Sequence, residues 1–159
     1  MMPPSMNSTA RLTMKHTAYS ALACLALITA TGASAQDLLA TAAKEKGATV
    51  TPTGLVYRSL KDGTGASPAA TDVVKVHYRG TFADGKEFDS SFKRNAPAQF
   101  PLNGVIPCWT EGVQRMKVGG KAQLTCPASI AYGERGAGGV IPPNTALQFE
   151  VELLEIAKR

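Results

Sequence analysis

Imidazole is scarce in this chain of 159 residues: there are two histidines, His16 and His77, and only His77 lies past the apolar N-terminal stretch. A Ser-His-Asp or Cys-His site needs that one ring beside a nucleophile, and no nucleophile-elbow motif accompanies it. His77 stands among valines and reads as a packed or surface residue. Cysteine is also rare, at three residues, and none falls in a C-x-x-C pair. Cys108, Cys126 and His77 cannot complete a zinc site unaided, and the carboxylates are not grouped as metal ligands, so neither metal nor cofactor is expected. Gly119-Gly120-Lys121-Ala122 lacks the Ser or Thr and the upstream glycine of a P-loop. The charges are scattered, with no aromatic-plus-basic motif, so they read as a solvated surface and nucleic acid is not an expected partner. There is no internal repeat and no sign of a second domain.

The apolar run over residues 17–30 is too short to span a membrane. Arg11 and Lys15 precede it and Ala33-Ser34-Ala35 follows, which makes a basic n-region, an apolar h-region and an A-x-A cleavage site. Residues 1–35 are therefore expected to be a signal peptide cleaved after Ala35, and the product to be exported to the periplasm. Met14-Lys15-His16 alone makes a compact n-region, which leaves Met1 and Met14 as alternative starts. A lipoprotein acylated at Cys24 needs a large aliphatic residue three positions earlier, where Ala21 stands, so cleavage after Ala35 is the preferred reading. The remaining 36–159 holds 15 basic and 12 acidic residues and has room for one small domain with a single core.

Export changes how Cys108 and Cys126 are read. They are even in number and separated by a helix and a turn, so a disulfide is expected, worth about 3 kcal/mol on the chain-entropy model. Thiol-disulfide chemistry is the alternative; it requires that the pair reduce easily and that alkylation abolish activity.

Residues 36–49 have helical composition, with Leu38, Leu39 and Ala42 on one side, and read as a short frayed leader or a weakly docked remnant. The domain is placed at 50–159. A first strand is expected over 51–60, and residues 72–82 give the clearest one, with Val74, Val76 and Tyr78 on one face and Val73, Lys75, His77 and Arg79 on the other. Asp84-Gly85 marks a turn, and residues 99–102, 120–127 and 145–156 return as strands. The only helix in this region is announced by Pro107, with Trp109, Val113 and Met116 at i, i+4, i+7 and a stop at Gly119-Gly120. Trp109, the one tryptophan, would floor an apolar pocket or serve simply as core. The glycine-rich loop over 131–144 reads as a flap. An aromatic pocket with few polar groups suits binding, or a reaction without proton transfer.

Val76-His77-Tyr78-Arg79-Gly80, Asp84-Gly85-Lys86-Glu87-Phe88-Asp89-Ser90-Ser91, Val105-Ile106-Pro107-Cys108-Trp109, Gly112-Val113, Ala131-Tyr132-Gly133 and Ile141-Pro142-Pro143-Asn144 occur in one order. Together they resemble FKBP-type peptidyl-prolyl cis-trans isomerases, with coverage from about residue 50 to the end. The resemblance implies an α+β fold: a strongly twisted antiparallel half-barrel of five to six strands wrapped around one short helix. It implies an isomerase acting on prolyl peptide segments, with Tyr78, Phe88, Asp89, Val105, Ile106, Trp109, Tyr132 and Phe149 as the pocket set and Phe100 behind them. Phe88, Asp89, Trp109 and Tyr132 are the implied catalytic group, and Arg94 resembles a basic residue able to pair with the aspartate. Macrolides such as rapamycin and tacrolimus are implied inhibitors. Ala98 stands where an aromatic is common, and Ala137 where the flap is bulkier, so one wall is expected to be more open. That openness keeps a second class in view, a prolyl-binding chaperone without turnover. With only a short leader before the domain, a monomer is expected.

Overall fold

The computed structural model describes residues 35–157. The expectations placed on the cleaved stretch, on Cys24 and on the start codon lie outside these residues. The chain runs α1 (Ala35–Ala43), β1 (Ala48–Val50), β2 (Val56–Lys61), β3 (Val73–Thr81), β4 (Glu87–Ser90), β5 (Ala98–Pro101), α2 (Pro107–Gln114), β6 (Lys121–Cys126) and β7 (Leu147–Ala157). A 3-10 turn, Leu102–Gly104, joins β5 to α2. All strands form one antiparallel sheet in the order β1-β2-β6-β7-β3-β4, with β5 also paired to β3. Among the described residues no helix is long and apolar enough to cross a membrane.

β3 is the centre of this arrangement because its sequence alternates so strictly. Val74, Val76, Tyr78 and Gly80 are buried, while the residues between them are half-buried or exposed. That period of two commits one face to the core and fixes register against β7, from Val73 opposite Ala157 to Thr81 opposite Gln148, with one bulge between Lys75 and Val76. β7 answers with Leu147, Phe149, Val151 and Leu153, as its own alternation requires. On its other edge β3 takes β5 along its first half and β4 along its second. The turn from β3 to β4 uses Gly85 at φ +85°, with its N–H donating to the Phe82 carbonyl at 2.9 Å.

The fold class is the expected one, with three differences of detail. A seventh strand, β1, lies in the stretch read as leader: Ala48, Thr49 and Val50 pair with Arg58, Tyr57 and Val56. Three residues are too few for alternation to show. α1 leans on this edge, burying Ala42, and Glu45 forms an ion pair with Arg58. The strand expected from residue 51 begins only at Val56. Thr51-Pro52-Thr53-Gly54 makes a turn instead, with Gly54 N–H donating to the Thr51 carbonyl at 2.9 Å and Gly54 at φ +91°. Finally, α2 stops at Gln114, well before Gly119-Gly120. Arg115 and Met116 reach back only three residues, to the carbonyls of Gly112 and Val113 at 3.1 Å, and this tightening ends the helix. Met116 lies beyond it, yet is buried beside Val113 in the same core.

α2 lies flush on β6 because Gly112 faces Leu124; a Cβ there would stand 2.7 Å from Leu124 Cδ2. Cys108 on α2 and Cys126 at the end of β6 are both fully buried, and their Cα atoms are 5.9 Å apart with the sulfurs paired. The first turn of the helix is thereby tied to the sheet directly beside Trp109.

Candidate functional site

Trp109 sits at the N-terminal turn of α2, only 4% exposed, and three rings stand edge-on to it: Tyr78 at 5.2 Å, Phe149 at 5.4 Å and Phe100 at 5.6 Å between centroids. These come from β3, β7 and β5, so the sheet brings one aromatic from each strand onto the indole. Perpendicular rings place positive edges on negative faces, the favourable arrangement for aromatic pairs. The indole Nε1 is buried and has no acceptor among the described residues. Phe88 on β4 adds a fourth ring, edge-on to Phe149 at 5.7 Å and tilted against Phe82 at 4.9 Å.

Above this floor is a cavity of about 320 Å³ lined by Tyr78, Phe88, Asp89, Phe100, Gly104, Val105, Ile106, Trp109, Tyr132 and Phe149. Every residue of the expected pocket set lines it, and so does Phe100. Arg94 does not. It bonds Asp89 as its pairing with the aspartate requires, donating from Nη1 to Asp89 Oδ1 at 2.6 Å, and donates from Nη2 to the Tyr78 hydroxyl at 3.1 Å. Gly104 was not foreseen as a lining residue, since a residue without a side chain leaves no mark in hydrophobic periodicity. Ala98 and Ala137 are half-buried against the core and do not line the cavity.

The polar edge of the cavity is a three-residue cluster. Tyr78 donates its hydroxyl to Asp89 Oδ2, while Arg94 takes Oδ1. Partial burial works against the Asp89 charge, yet the bonds from Tyr78 and Arg94 outweigh it and hold the carboxyl below its ordinary range. The same burial, followed by the bond to Asp89, pushes the Tyr78 phenol up. Asp89 is therefore an ion at neutral pH and Tyr78 a neutral donor. The turn after β4 is fixed from beneath by Ser91, fully buried, whose Oγ accepts from Tyr78 N–H at 2.7 Å and lies 2.9 Å from His77 Nδ1. His77 itself stacks on Phe92 with centroids 4.8 Å apart, a packed role.

Two further donors belong to residues that line the cavity. The Ile106 N–H has no acceptor among the described residues, because Ile106 precedes α2 and only its carbonyl joins the helix, accepting from Trp109 at 2.9 Å and Thr110 at 3.2 Å. The Tyr132 hydroxyl is likewise without a partner among these residues, on a ring 38% exposed at the rim, and burial first and then Asp89 push its pKa up. The flap carrying Tyr132 is closed by its own backbone bonds: Gly136 to Tyr132, Ala137 to Ile141 and Asn144 to Gly133. Among the described residues no three His, Cys, Asp or Glu side chains gather as metal ligands.

The chain is thus an antiparallel-sheet domain carrying an aromatic cavity on its one inward helix, edged by an ionised carboxylate and by two donors without a partner among the described residues. The family model for FKBP-type peptidyl-prolyl cis-trans isomerases matches residues 65–154, and the chain belongs to that family. It is 57% identical over 123 residues to an FKBP-type peptidyl-prolyl cis-trans isomerase FkpA of Aeromonas hydrophila, covering 77% of this chain and 46% of that one. It is 56% identical over 114 residues to an FKBP-type 22 kDa peptidyl-prolyl cis-trans isomerase of Escherichia coli (strain K12), covering 72% of this chain and 55% of that one. The crystal structure of FkpA from Escherichia coli superposes with a TM-score of 0.74 at 48% identity, over 77% of this chain and 57% of that one. The chain spans about half the length of the curated relatives it matches.

Proposed function

We propose that the chain is a peptidyl-prolyl cis-trans isomerase that accelerates X-Pro rotation in folding exported proteins. The observation that carries this is an apolar cavity floored by Trp109 and lined by two residues, Ile106 and Tyr132, whose N–H and hydroxyl have no partner among the described residues. Rotation about an X-Pro bond breaks no covalent bond. Its barrier of about 18–20 kcal/mol comes from the partial double bond, and unaided it takes tens to hundreds of seconds. Removing water from the planar, charge-separated amide, and holding the twisted form better than either planar one, lowers that barrier. A thousandfold acceleration needs only about 4 kcal/mol of such differential binding.

In this reading the proline ring lies over Trp109 between Tyr78, Phe88 and Phe149, with Phe100 and Val105 closing the sides. Ile106 N–H and Tyr132 hydroxyl hold substrate carbonyls. Asp89 supplies a fixed negative charge at the polar edge, and Arg94 acts through Asp89 and Tyr78. The same cavity takes macrolides such as rapamycin and tacrolimus. The domain begins at about residue 50, and the 36–49 leader docks on its β2 edge through the first residues of β1. The chain acts as a monomer in the periplasm after cleavage behind Ala35, where Cys108 and Cys126 are oxidised to a disulfide of structural purpose. Prolyl-bond isomerisation of a short peptide by the purified chain tests the reading: activity lowered at least about tenfold by Trp109→Ala and by Asp89→Ala supports the site, and unchanged rates in both folded variants remove it.

A further inference from the structure

The aim of the Ile106 N–H depends on how residues 102–106 are held. Leu102 anchors one end, fully buried, with its N–H donating to the Asp72 carbonyl at 3.0 Å. At the other end the Ile106 carbonyl is taken by the first turn of α2. Between them, Gly104 and Val105 line the cavity. Thr110 joins the two ends. Its Oγ1 donates to the Leu102 carbonyl at 2.6 Å and lies 3.4 Å from the Ile106 carbonyl. A hydroxyl has one proton, so the shorter contact takes it. Among the described residues no other side chain bonds the backbone of 102–106.

We propose that Thr110 is a positioning residue for the prolyl site. Its hydroxyl draws Leu102 onto the helix and thereby sets the direction of the Ile106 N–H, without itself touching substrate. The inference rests on the isomerase reading above, in which Ile106 N–H holds a substrate carbonyl. Such a bond is made to planar and twisted amide alike, so weakening it removes uniform binding: KM rises and kcat stays. An ordinary stabilising threonine would instead leave KM unmoved once the variant is folded.

Thr110→Val keeps the shape and removes the hydroxyl; Thr110→Ser keeps the hydroxyl and removes the methyl. Steady-state kinetics on a prolyl tetrapeptide and the amide NMR resonance of Ile106 are measured on the full chain for each. Loss of one such hydrogen bond is expected to raise KM roughly five- to tenfold in Thr110→Val, with kcat within about twofold. The Ile106 resonance shifts in the same variant, and Thr110→Ser returns both to near the parent. A Thr110→Val chain with parent KM, a loss confined to kcat, or a failure of Ser to rescue overturns the inference. A parent chain without isomerase activity sinks the isomerase reading instead. The NMR arm then still decides: a resonance unmoved in Thr110→Val overturns the positioning role, and a shift reversed by Ser supports it.

Discussion

The Tyr78 hydroxyl donates to Asp89 Oδ2 across the β3–β4 pair, and Arg94 donates to the other carboxylate oxygen at 2.6 Å. The aspartate, which lines the cavity, is thus bonded on both oxygens. A carboxylate held in this way stays ionised at neutral pH.

The pH dependence follows from this. The folded-state pKa of Asp89 is depressed, because the bonds from Tyr78 and Arg94 overcome the effect of burial. A depressed carboxyl contributes stability above its unfolded value of about 3.9 and loses it as pH falls through the folded value. The side chain is partly exposed, so solvent screening keeps the energy small. Activity is expected to be flat from about pH 5 to 8 and to fall only below about pH 4. In Tyr78→Phe the acid limb of the kcat/KM profile moves upward toward the ordinary aspartate range. An acid limb that stays in place shows that the phenol does not hold the charge.

Trp109 carries both fold and site, so its removal needs care. Trp109→Ala is expected to cost about 3–5 kcal/mol of stability, as for other buried aromatics. Where it folds, its activity is at least about tenfold lower, since a floor that contributes even 1.4 kcal/mol of differential binding is worth that factor. Trp109→Phe, which keeps an aromatic floor, retains more activity. Circular dichroism and denaturant melts separate the two effects.

Gly80 lies under the cavity wall. A Cβ there would stand 2.4 Å from Phe88 Cζ and 3.0 Å from Phe149 Cε1. Gly80→Ala is expected to push the Phe88 ring into the cavity, destabilising by about 1–3 kcal/mol as overpacking does. Peptide turnover and macrolide affinity both fall. Thermal melting with unchanged activity means that the rings absorb the methyl group.

Cys108 and Cys126 span 18 residues, and both are fully buried. Reducing the purified chain is expected to lower stability by about 3 kcal/mol while leaving most isomerase activity at 25 °C. Loss of all activity on gentle reduction, without unfolding, favours the thiol-disulfide reading.

Much of the site is legible in the sequence because its parts have strong local signatures. β3 shows its inward face through unbroken alternation, and Pro107 with Trp109 and Val113 marks the helix that floors the cavity. The ordered motifs place Phe88, Asp89, Val105, Ile106, Tyr132 and Phe149 around it. What stays hidden depends on distance in space. Nothing local shows that Arg94, in pairing with Asp89, also reaches the Tyr78 hydroxyl and leaves the cavity wall to others. Gly104 lines the cavity with backbone alone. Ala48–Val50 forms a strand only because β2 offers an edge, and a three-residue strand carries no period. The helix end at Gln114 is set by carbonyls three residues back, and the Gly119-Gly120 signal serves the next turn, where Gly119 sits at φ +89°.

The most direct measurement is the proline-limited refolding phase of a model protein, followed with and without the purified chain. The account predicts that the slow phase accelerates in proportion to added chain, and that rapamycin and Asp89→Ala each abolish the effect. An unchanged slow phase contradicts it; if aggregation is nevertheless suppressed, the Trp109 cavity binds prolyl segments without turning them over.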